Sequence, residues 1–263
     1  MLFTPRITKV HAIVLRAMAW REKDRLLVLL TRERGRLFVI AQGAQRPQNR
    51  LAPFAQTGVL ATFWLARGRE FDRVTDGRWE GIVERLREDV TALAAFSIVA
   101  EVLETATPAE MVEAPLFEEV REASLALGSG VPVHKWLTTL LVRLLWHFGW
   151  LPHLLTCSVC GEPLREREAL FAPSAGGSLC VRCGAGRSLP DAQRVAVATL
   201  QGLEALVRQP KLITTLHLRP TLWEQALSLL RMAWCYHLES DLRAWRVFEQ
   251  CRRSHPAFLL PQK

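Results

Sequence analysis

The sequence has no hydrophobic run long enough to cross a membrane as a helix. The longest apolar stretches, such as Ala92–Ala100, reach about half of the roughly 18 to 20 residues that a spanning helix requires. The first residues carry Arg6 and Lys9 and are not followed by the apolar core of a secretory signal. We therefore expect a soluble, intracellular protein with no membrane contact.

The motifs of common nucleotide-dependent and hydrolytic enzymes are also missing. The chain has no GxxxxGK(S/T) phosphate loop, no GxGxxG, no HExxH and no GxSxG. Its seven histidines show no ligand spacing, and no pair of carboxylates is placed for acid–base or two-metal chemistry. We expect a protein that is not an enzyme; a nuclease or nucleotidyltransferase whose site is assembled from distant residues is the alternative.

Positive charge, by contrast, is abundant in the first eighty residues, which hold 15 Lys and Arg against 7 Asp and Glu. Residues 81–263 hold 19 of each sign, so the net charge of +8 for the chain equals that of the first segment. Such segregation favours a binding site for an anionic polymer or a membrane surface within one domain. A merely solubilising surface is the alternative.

The basic segment has the pattern of short β-strands. Four apolar runs are separated by turn-forming or charged residues: Ile7–Leu15, Leu26–Thr31, Arg36–Ala41 and Thr57–Leu65. The connection Arg32–Gly35 predicts a hairpin, and Ala66–Arg69 predicts another. A sheet of so few strands has exposed edges unless it closes on itself. We therefore expect a five-stranded barrel of the oligonucleotide/oligosaccharide-binding (OB) type.

Aromatic residues accompany the basic ones in this segment. Alternation along the third strand places Arg36, Phe38 and Ile40 on one face. Other rings nearby are Trp20, Phe54, Phe63, Trp64 and Phe71. Basic grooves with exposed rings are typical of proteins that bind single-stranded nucleic acid. For any one ring, packing in the core is the alternative.

Beyond about residue 85 the apolar spacing becomes helical. The pattern predicts strong helices over Trp136–Phe148 and Ala192–Val207, and weaker ones over Arg85–Ala106, Ala109–Leu127 and Thr221 to about Arg246. Ser188–Asp191 supplies start signals for the second strong helix. We expect these helices to form a bundle.

Between the two strong helices lie two CxxC pairs separated by nineteen residues. Their cysteines are Cys157, Cys160, Cys180 and Cys183. Each pair can supply two sulfurs from one tight turn, so the spacing predicts a four-thiolate zinc site without an open position, hence a structural metal. Two disulfides or a redox pair are the alternatives. Cys235 and Cys251 are expected to be buried free thiols.

The order of a basic barrel, a helical bundle and an inserted CxxC-x19-CxxC module resembles the RecO family of bacterial recombination mediators. The opening of the chain is also similar to that family, with a strand, an acidic and basic cluster, a hairpin and a glycine-containing loop at Val14–Arg16, Glu22–Arg25, Arg34–Gly35 and Ala41–Ala44. The resemblance covers essentially the whole chain. Some members of the family lack a complete cysteine set, whereas all four cysteines are present here.

The resemblance implies a DNA repair protein without enzymatic activity, located in the bacterial cytoplasm at the nucleoid. Its implied ligands are single-stranded and double-stranded DNA, whose complementary strands it anneals. With RecR it is expected to help RecA displace single-strand-binding protein (SSB), and its helical region to bind the C-terminal tail of SSB. The rival hypothesis is a zinc-containing adaptor whose basic barrel docks an acidic protein.

The DNA-binding candidates are the basic residues of the predicted barrel. The first set is Arg32, Arg34, Arg36, Arg46 and Arg50, and the second is Lys9, Arg16, Arg21, Lys23 and Arg25. The fold class is α+β, with the barrel over residues 1–80 and the helical domain over 81–152 and 188–263. The zinc module occupies residues 153–187.

Overall fold

The computed structural model describes residues 7–254, which fold into two compact units. The first unit ends at Gly130 and the second begins at Val131. The predicted domain boundaries remain predictions; in the structure the helices that precede Gly130 belong to the same unit as the barrel.

The first unit contains the predicted five-stranded barrel. Its strands are β1 (Ile7–Trp20), β2 (Asp24–Thr31), β3 (Gly35–Ala41), β4 (Val59–Ala66) and β5 (Asp72–Ile82). The barrel closes in the order β1-β2-β3-β5-β4, and only the β3–β5 pairing is parallel. The predicted OB-type barrel is confirmed. No apolar run marked β5, because most of its side chains lie at the surface.

Alternating side chains fill the barrel. Leu27 and Leu29 on β2 pack inside it with Val39 and Phe63 from neighbouring strands. The other face of β2 is buried as well, and α3 lies against this strand. A strand that is apolar on both faces thus has a cover on each side.

Three helices complete the first unit: α1 (Arg85–Glu88), α2 (Val90–Ala106) and α3 (Ala114–Gly128). The prediction of one helix over Arg85–Ala106 is wrong at Asp89, whose carboxylate caps α2 by accepting from the backbone N–H groups of Thr91 and Ala92. The predicted start of the next helix at Ala109 is also wrong, since Ala109 forms a bridge with Arg36 of β3.

The second unit has the helices α4 (Val133–His147), α6 (Val197–Arg208), α7 (Pro220–Leu238) and α8 (Arg243–Ser254). The strong helix predicted over Trp136–Phe148 is confirmed. The predicted start at Ala192 is one turn too early, because Gln193–Ala196 forms a strand. The last predicted helix is in fact two, since Glu239 adopts a left-handed conformation with φ 49° and ends α7.

A small module lies between α4 and α6, as predicted. It contains β6 (Glu168–Ala172), β7 (Gly177–Leu179), the short helix α5 (Val181–Gly184) and β8 (Gln193–Ala196), with the sheet order β7-β6-β8. Across residues 7–254, no helix has the length and hydrophobicity needed to span a membrane.

Candidate nucleic-acid interface and metal centre

The turn of the β2–β3 hairpin is held by the segment between α2 and α3. Gly35 has φ 64°, and a Cβ atom there would lie 1.9 Å from the carbonyl oxygen of Met111. Next to it, Arg34 places Nη1 2.5 Å from Asp72 Oδ2 and Nη2 3.3 Å from Glu110 Oε1. The Arg34 guanidinium is therefore neutralised by two carboxylates of its own unit.

The side chain of Arg36, on β3, caps the C-terminal end of α2. Its Nε and Nη2 atoms donate to the carbonyl oxygen of Thr107, the C-cap of α2, at 3.1 and 2.9 Å. Burial lowers the pKa of Arg36 and the charge of Glu104 opposes this change. The side chain also lies over the Phe38 ring, 5.2 Å from its centroid. Arg36 thus satisfies a helix carbonyl that would otherwise lack a donor.

Two further candidates are paired with the same helices. Arg16 Nε lies 3.0 Å from Glu104 Oε1 on α2, and Arg32 Nε lies 3.3 Å from Glu118 Oε1 on α3. We refer to Arg16, Arg32, Arg34 and Arg36 as the paired arginines. Their contacts within the protein fix the hairpin and β1 to α2 and α3.

The candidates around the β1–β2 turn are placed differently. Arg21, Lys23 and Arg46 are exposed. Gln45 connects the turn to the following loop, because its backbone N–H donates to the carbonyl of Lys23 and its Nε2 donates to the carbonyl of Arg21. The structure therefore brings these three basic residues to one neighbourhood.

A cavity of about 440 Å³ opens beside this turn. It is formed by the end of β1, the β1–β2 turn, β3 and the β4–β5 connection. We call it the barrel-end cavity; its lining is Trp20, Arg21, Asp24, Ile40, Gln42, Arg67, Gly68, Arg69, Glu70, Phe71 and Arg73. Loops between these strands are where OB barrels bind oligonucleotides.

Four of the lining residues, Arg21, Arg67, Arg69 and Arg73, are exposed arginines, and we call them the rim arginines. Within residues 7–254 none of them has a carboxylate partner within ion-pair distance. Sequence reasoning named only Arg21 among them. The signal for Arg67 and Arg69 was present, since both stand in the hairpin connection that the sequence predicts.

The remaining candidates are distributed over the barrel. Lys9 is exposed on β1. Arg25 Nη1 donates to the carbonyl of Ala55 at 2.7 Å, and Arg50 Nη2 donates to the carbonyl of Thr75 at 2.7 Å. The last two therefore use part of their donor capacity on the backbone of the barrel.

The part of the chain after the first eighty residues is neutral in total, but it divides into an acidic and a basic segment. Residues 81–130 hold 3 Lys and Arg against 10 Asp and Glu, whereas residues 131–263 hold 16 against 9. The acidic segment supplies the partners of Arg16 and Arg32 and one of those of Arg34. The second unit is thus basic, and much of the barrel's charge is compensated.

The second candidate site is the four-cysteine cluster. The sulfur atoms of Cys157, Cys160, Cys180 and Cys183 all lie within 4.8 Å of one another. The first pair turns at Gly161, which has φ 75° and donates its N–H to the carbonyl of Cys157 at 2.9 Å. In the second pair the Cys183 N–H donates to Cys180 Sγ at 3.4 Å.

The proton affinities within the cluster differ strongly. Burial alone would raise the pKa of Cys157, but hydrogen bonds from the backbone of Cys160, Cys180 and Val159 lower it to about 6. Hydrogen bonds with the side chains of Cys180 and Cys160 raise the pKa of Cys183 to about 12. The four thiols therefore share their protons unequally, with Cys157 ionising before Cys183.

These residues fit a tetrahedral metal. Four sulfurs bound at about 2.3 Å from a central zinc would be separated by about 3.8 Å, which the observed spacing permits. The four cysteines of the cluster form no disulfide in the structure, which does not support the two-disulfide alternative. Cys235 and Cys251, predicted to be buried, are half-buried.

Two family models match the chain. The model described as "Recombination protein O N terminal" matches residues 6–82, and the one described as "Recombination protein O C terminal" matches residues 87–246. Their junction falls between the barrel and α2.

Curated relatives agree with both matches. The DNA repair protein RecO of Desulforudis audaxviator is 34% identical over 241 residues, which cover 90% of this chain and 94% of the relative. The DNA repair protein RecO of Pelotomaculum thermopropionicum is 30% identical over 246 residues, covering 93% and 94%. That of Roseiflexus sp. is 30% identical over 249 residues, covering 94% and 87%. With both halves of the family pattern present along nearly its whole length, the chain belongs to the RecO family of DNA repair proteins.

Proposed function

We propose that this protein binds DNA without catalysing a reaction and anneals complementary single strands. With RecR it would promote the loading of RecA onto single-stranded DNA coated with SSB. Membership of the RecO family supports the repair role. The observation that carries the DNA-binding part is the group of exposed rim arginines around a cavity with an aromatic lining.

The rim arginines supply the charge that annealing requires. Two DNA strands repel one another through their phosphates, and side chains that neutralise phosphates release counterions and reduce that repulsion. Duplex formation is itself favourable, so the step needs no ATP. Lys23 and Arg46, in the same neighbourhood as Arg21, extend the basic surface beyond the cavity.

The four cysteines would hold one zinc ion. With four protein sulfurs there is no position for water or substrate, so the metal would stabilise the module between α4 and α6 rather than take part in chemistry. RecR and the C-terminal tail of SSB are the protein partners that the family resemblance implies. Action on the nucleoid places the proposed function in the bacterial cytoplasm.

The proposal is tested by annealing of labelled complementary oligonucleotides at rising salt, with and without SSB, in the absence of ATP. We expect acceleration that persists on SSB-coated strands and fades as salt increases. An Arg67→Gln/Arg69→Gln variant should lose most of this acceleration. The absence of acceleration, with RecR binding intact, would favour the adaptor hypothesis, and degradation of labelled DNA with Mg²⁺ would favour a nuclease.

A further inference from the structure

We infer that the barrel-end cavity binds one unpaired nucleobase of a DNA strand whose phosphates lie on the rim arginines. This inference rests on the proposed DNA binding and adds a specific contact that duplex DNA cannot make. The ligand class is therefore single-stranded nucleic acid with one base turned into the protein.

The lining of the cavity includes two aromatic rings, Trp20 and Phe71, and Phe38 lies next to them outside the lining. The ring centroids of Trp20 and Phe71 are 5.9 Å apart at an interplanar angle of 89°, and Phe38 lies 6.3 Å from Phe71. In an edge-to-face pair, one of the two rings keeps both faces uncovered by its partner. Such a face is a stacking surface for any base.

Trp20 also has an unused hydrogen-bond donor. Its Nε1 atom is buried, and within residues 7–254 no protein atom accepts a hydrogen bond from it. A buried N–H without an acceptor is destabilising, and native structures seldom keep one without a reason. Because Trp20 lines the cavity, a small rotation of its ring would bring this N–H to a ring nitrogen or a carbonyl oxygen of a base bound there.

The size and polarity of the cavity fit a nucleotide. Its volume of about 440 Å³ lies in the range of small-molecule sites. Gln42 and Asp24 add polar groups to the lining, and the four rim arginines surround it with positive charge. A base on the rings and phosphates on the arginines would use both halves of this lining.

A cavity that binds an unpaired base would give the barrel a higher affinity for single strands than for duplexes. In a duplex each base is paired and stacked, so bringing one into the cavity requires that it first unpair and unstack. Duplex DNA then keeps only the rim contacts. When complementary strands anneal, the bound base must leave the cavity to pair, which weakens binding of the product.

The first test uses the wild-type protein and oligonucleotides with the same number of phosphates. Replacing all bases by abasic sites should weaken binding roughly tenfold or more, because stacking is lost while the phosphates remain. A single 2-aminopurine in an otherwise normal strand should change its fluorescence on binding in the single strand and not in the duplex. Equal affinity for abasic and normal strands would overturn the inference.

The second test uses Trp20→Phe, which keeps a ring and removes the N–H donor, and Phe71→Leu. Each should weaken binding of single strands several-fold and leave duplex affinity and the salt dependence unchanged. Trp79→Phe is the matched control, since Trp79 is an exposed ring on β5 that does not line the cavity. Thermal unfolding reports the folded fraction of each variant. Equal losses on single strands and duplexes would contradict the inference.

The arginine variant separates this inference from the proposed function. Arg67→Gln/Arg69→Gln should weaken single-strand and duplex binding together and reduce the dependence on salt. If that variant binds like the wild type, the proposed DNA site fails. If it binds weakly while Trp20→Phe and Phe71→Leu behave like the wild type, only the base-binding inference fails.

Discussion

The two basic regions of the barrel have similar composition and different surroundings. The β2–β3 hairpin presents Arg32, Arg34 and Arg36, and all three are bound by carboxylates or a carbonyl of the first unit. The β4–β5 connection presents Arg67 and Arg69 in a similar short turn, and both are exposed at the barrel-end cavity. The difference lies in the acidic segment 81–130, which reaches the hairpin.

This comparison shows that a basic loop is not by itself a binding site. An arginine held by two carboxylates would have to break those contacts before it could bind a phosphate. An exposed arginine only releases the counterions of the DNA. Binding energy is therefore expected from the rim arginines, and structural stability from the paired arginines.

We expect the largest loss of stability from a change in the four-cysteine cluster, which lies in the unit without the barrel. Cys157→Ser removes one of the four sulfurs proposed to hold a metal. It should lower the free energy of unfolding of the second unit by about 4 kcal/mol or more, because loss of a metal is among the causes of the largest mutational effects. DNA affinity per folded molecule should stay the same, because the barrel belongs to the other unit. Urea unfolding, zinc content and DNA titration measure the three quantities.

Cys235→Ser is the matched control, since Cys235 is half-buried and lies outside the cluster. We expect about 1 kcal/mol or less from this change. Loss of DNA binding by Cys157→Ser with unchanged unfolding would contradict the assignment of a structural metal.

Arg34→Ala should give the next largest effect. It leaves Asp72 and Glu110 without their shared cation, and we expect a loss of about 1 to 2 kcal/mol in the free energy of unfolding. Asp72 also accepts from the N–H of Gly68 at 3.3 Å, so the β4–β5 connection should loosen. Arg34→Lys keeps one charge without the paired geometry and should recover only part of the loss.

The comparison between the two regions would break if Arg34→Ala abolished DNA binding while its unfolding stayed like that of the wild type. Guanidine or urea unfolding, followed by DNA titration at equal folded concentration, distinguishes the two outcomes.

Arg32→Ala should have the smallest effect. Its side chain is 54% exposed and Glu118 is 41% exposed, so solvent screens the pair. We expect a change in the free energy of unfolding within about 0.5 kcal/mol and DNA affinity close to that of the wild type. A large loss of affinity would place the hairpin in the DNA interface and show that paired arginines bind DNA as the rim arginines are expected to do.

The sequence predicts the fold better than it predicts the basic interface. Short apolar runs revealed β1 to β4. The helical spacing of α4 and the two CxxC pairs are local patterns, so they could be recognised without knowing the fold. The sequence did not reveal β5, because most of its side chains are polar and lie at the surface. The start of α6 was predicted a turn too early, because the apolar pattern of α6 begins in β8.

The sequence analysis put the hairpin arginines in the first set of DNA-binding candidates, because loop position and residue type were the only criteria for choosing them. Their partners, Glu118, Glu110 and the carbonyl of Thr107, are far from them in sequence, so only the fold reveals the pairing. The acidic excess of residues 81–130 was a visible signal, since a segment with 10 acids beside a basic barrel is a candidate partner for it.

We expect the rim arginines, and not the paired ones, to contact DNA phosphates. The direct test is the salt dependence of single-strand binding for two double variants that remove the same charge, Arg67→Gln/Arg69→Gln and Arg16→Gln/Arg32→Gln. The first should reduce the slope of log K against log salt by about 1.4 and weaken binding roughly tenfold at 0.15 M salt, as loss of two phosphate contacts requires. The second should leave the slope unchanged. Equal reductions in both variants would contradict the claim, because then only total charge would matter.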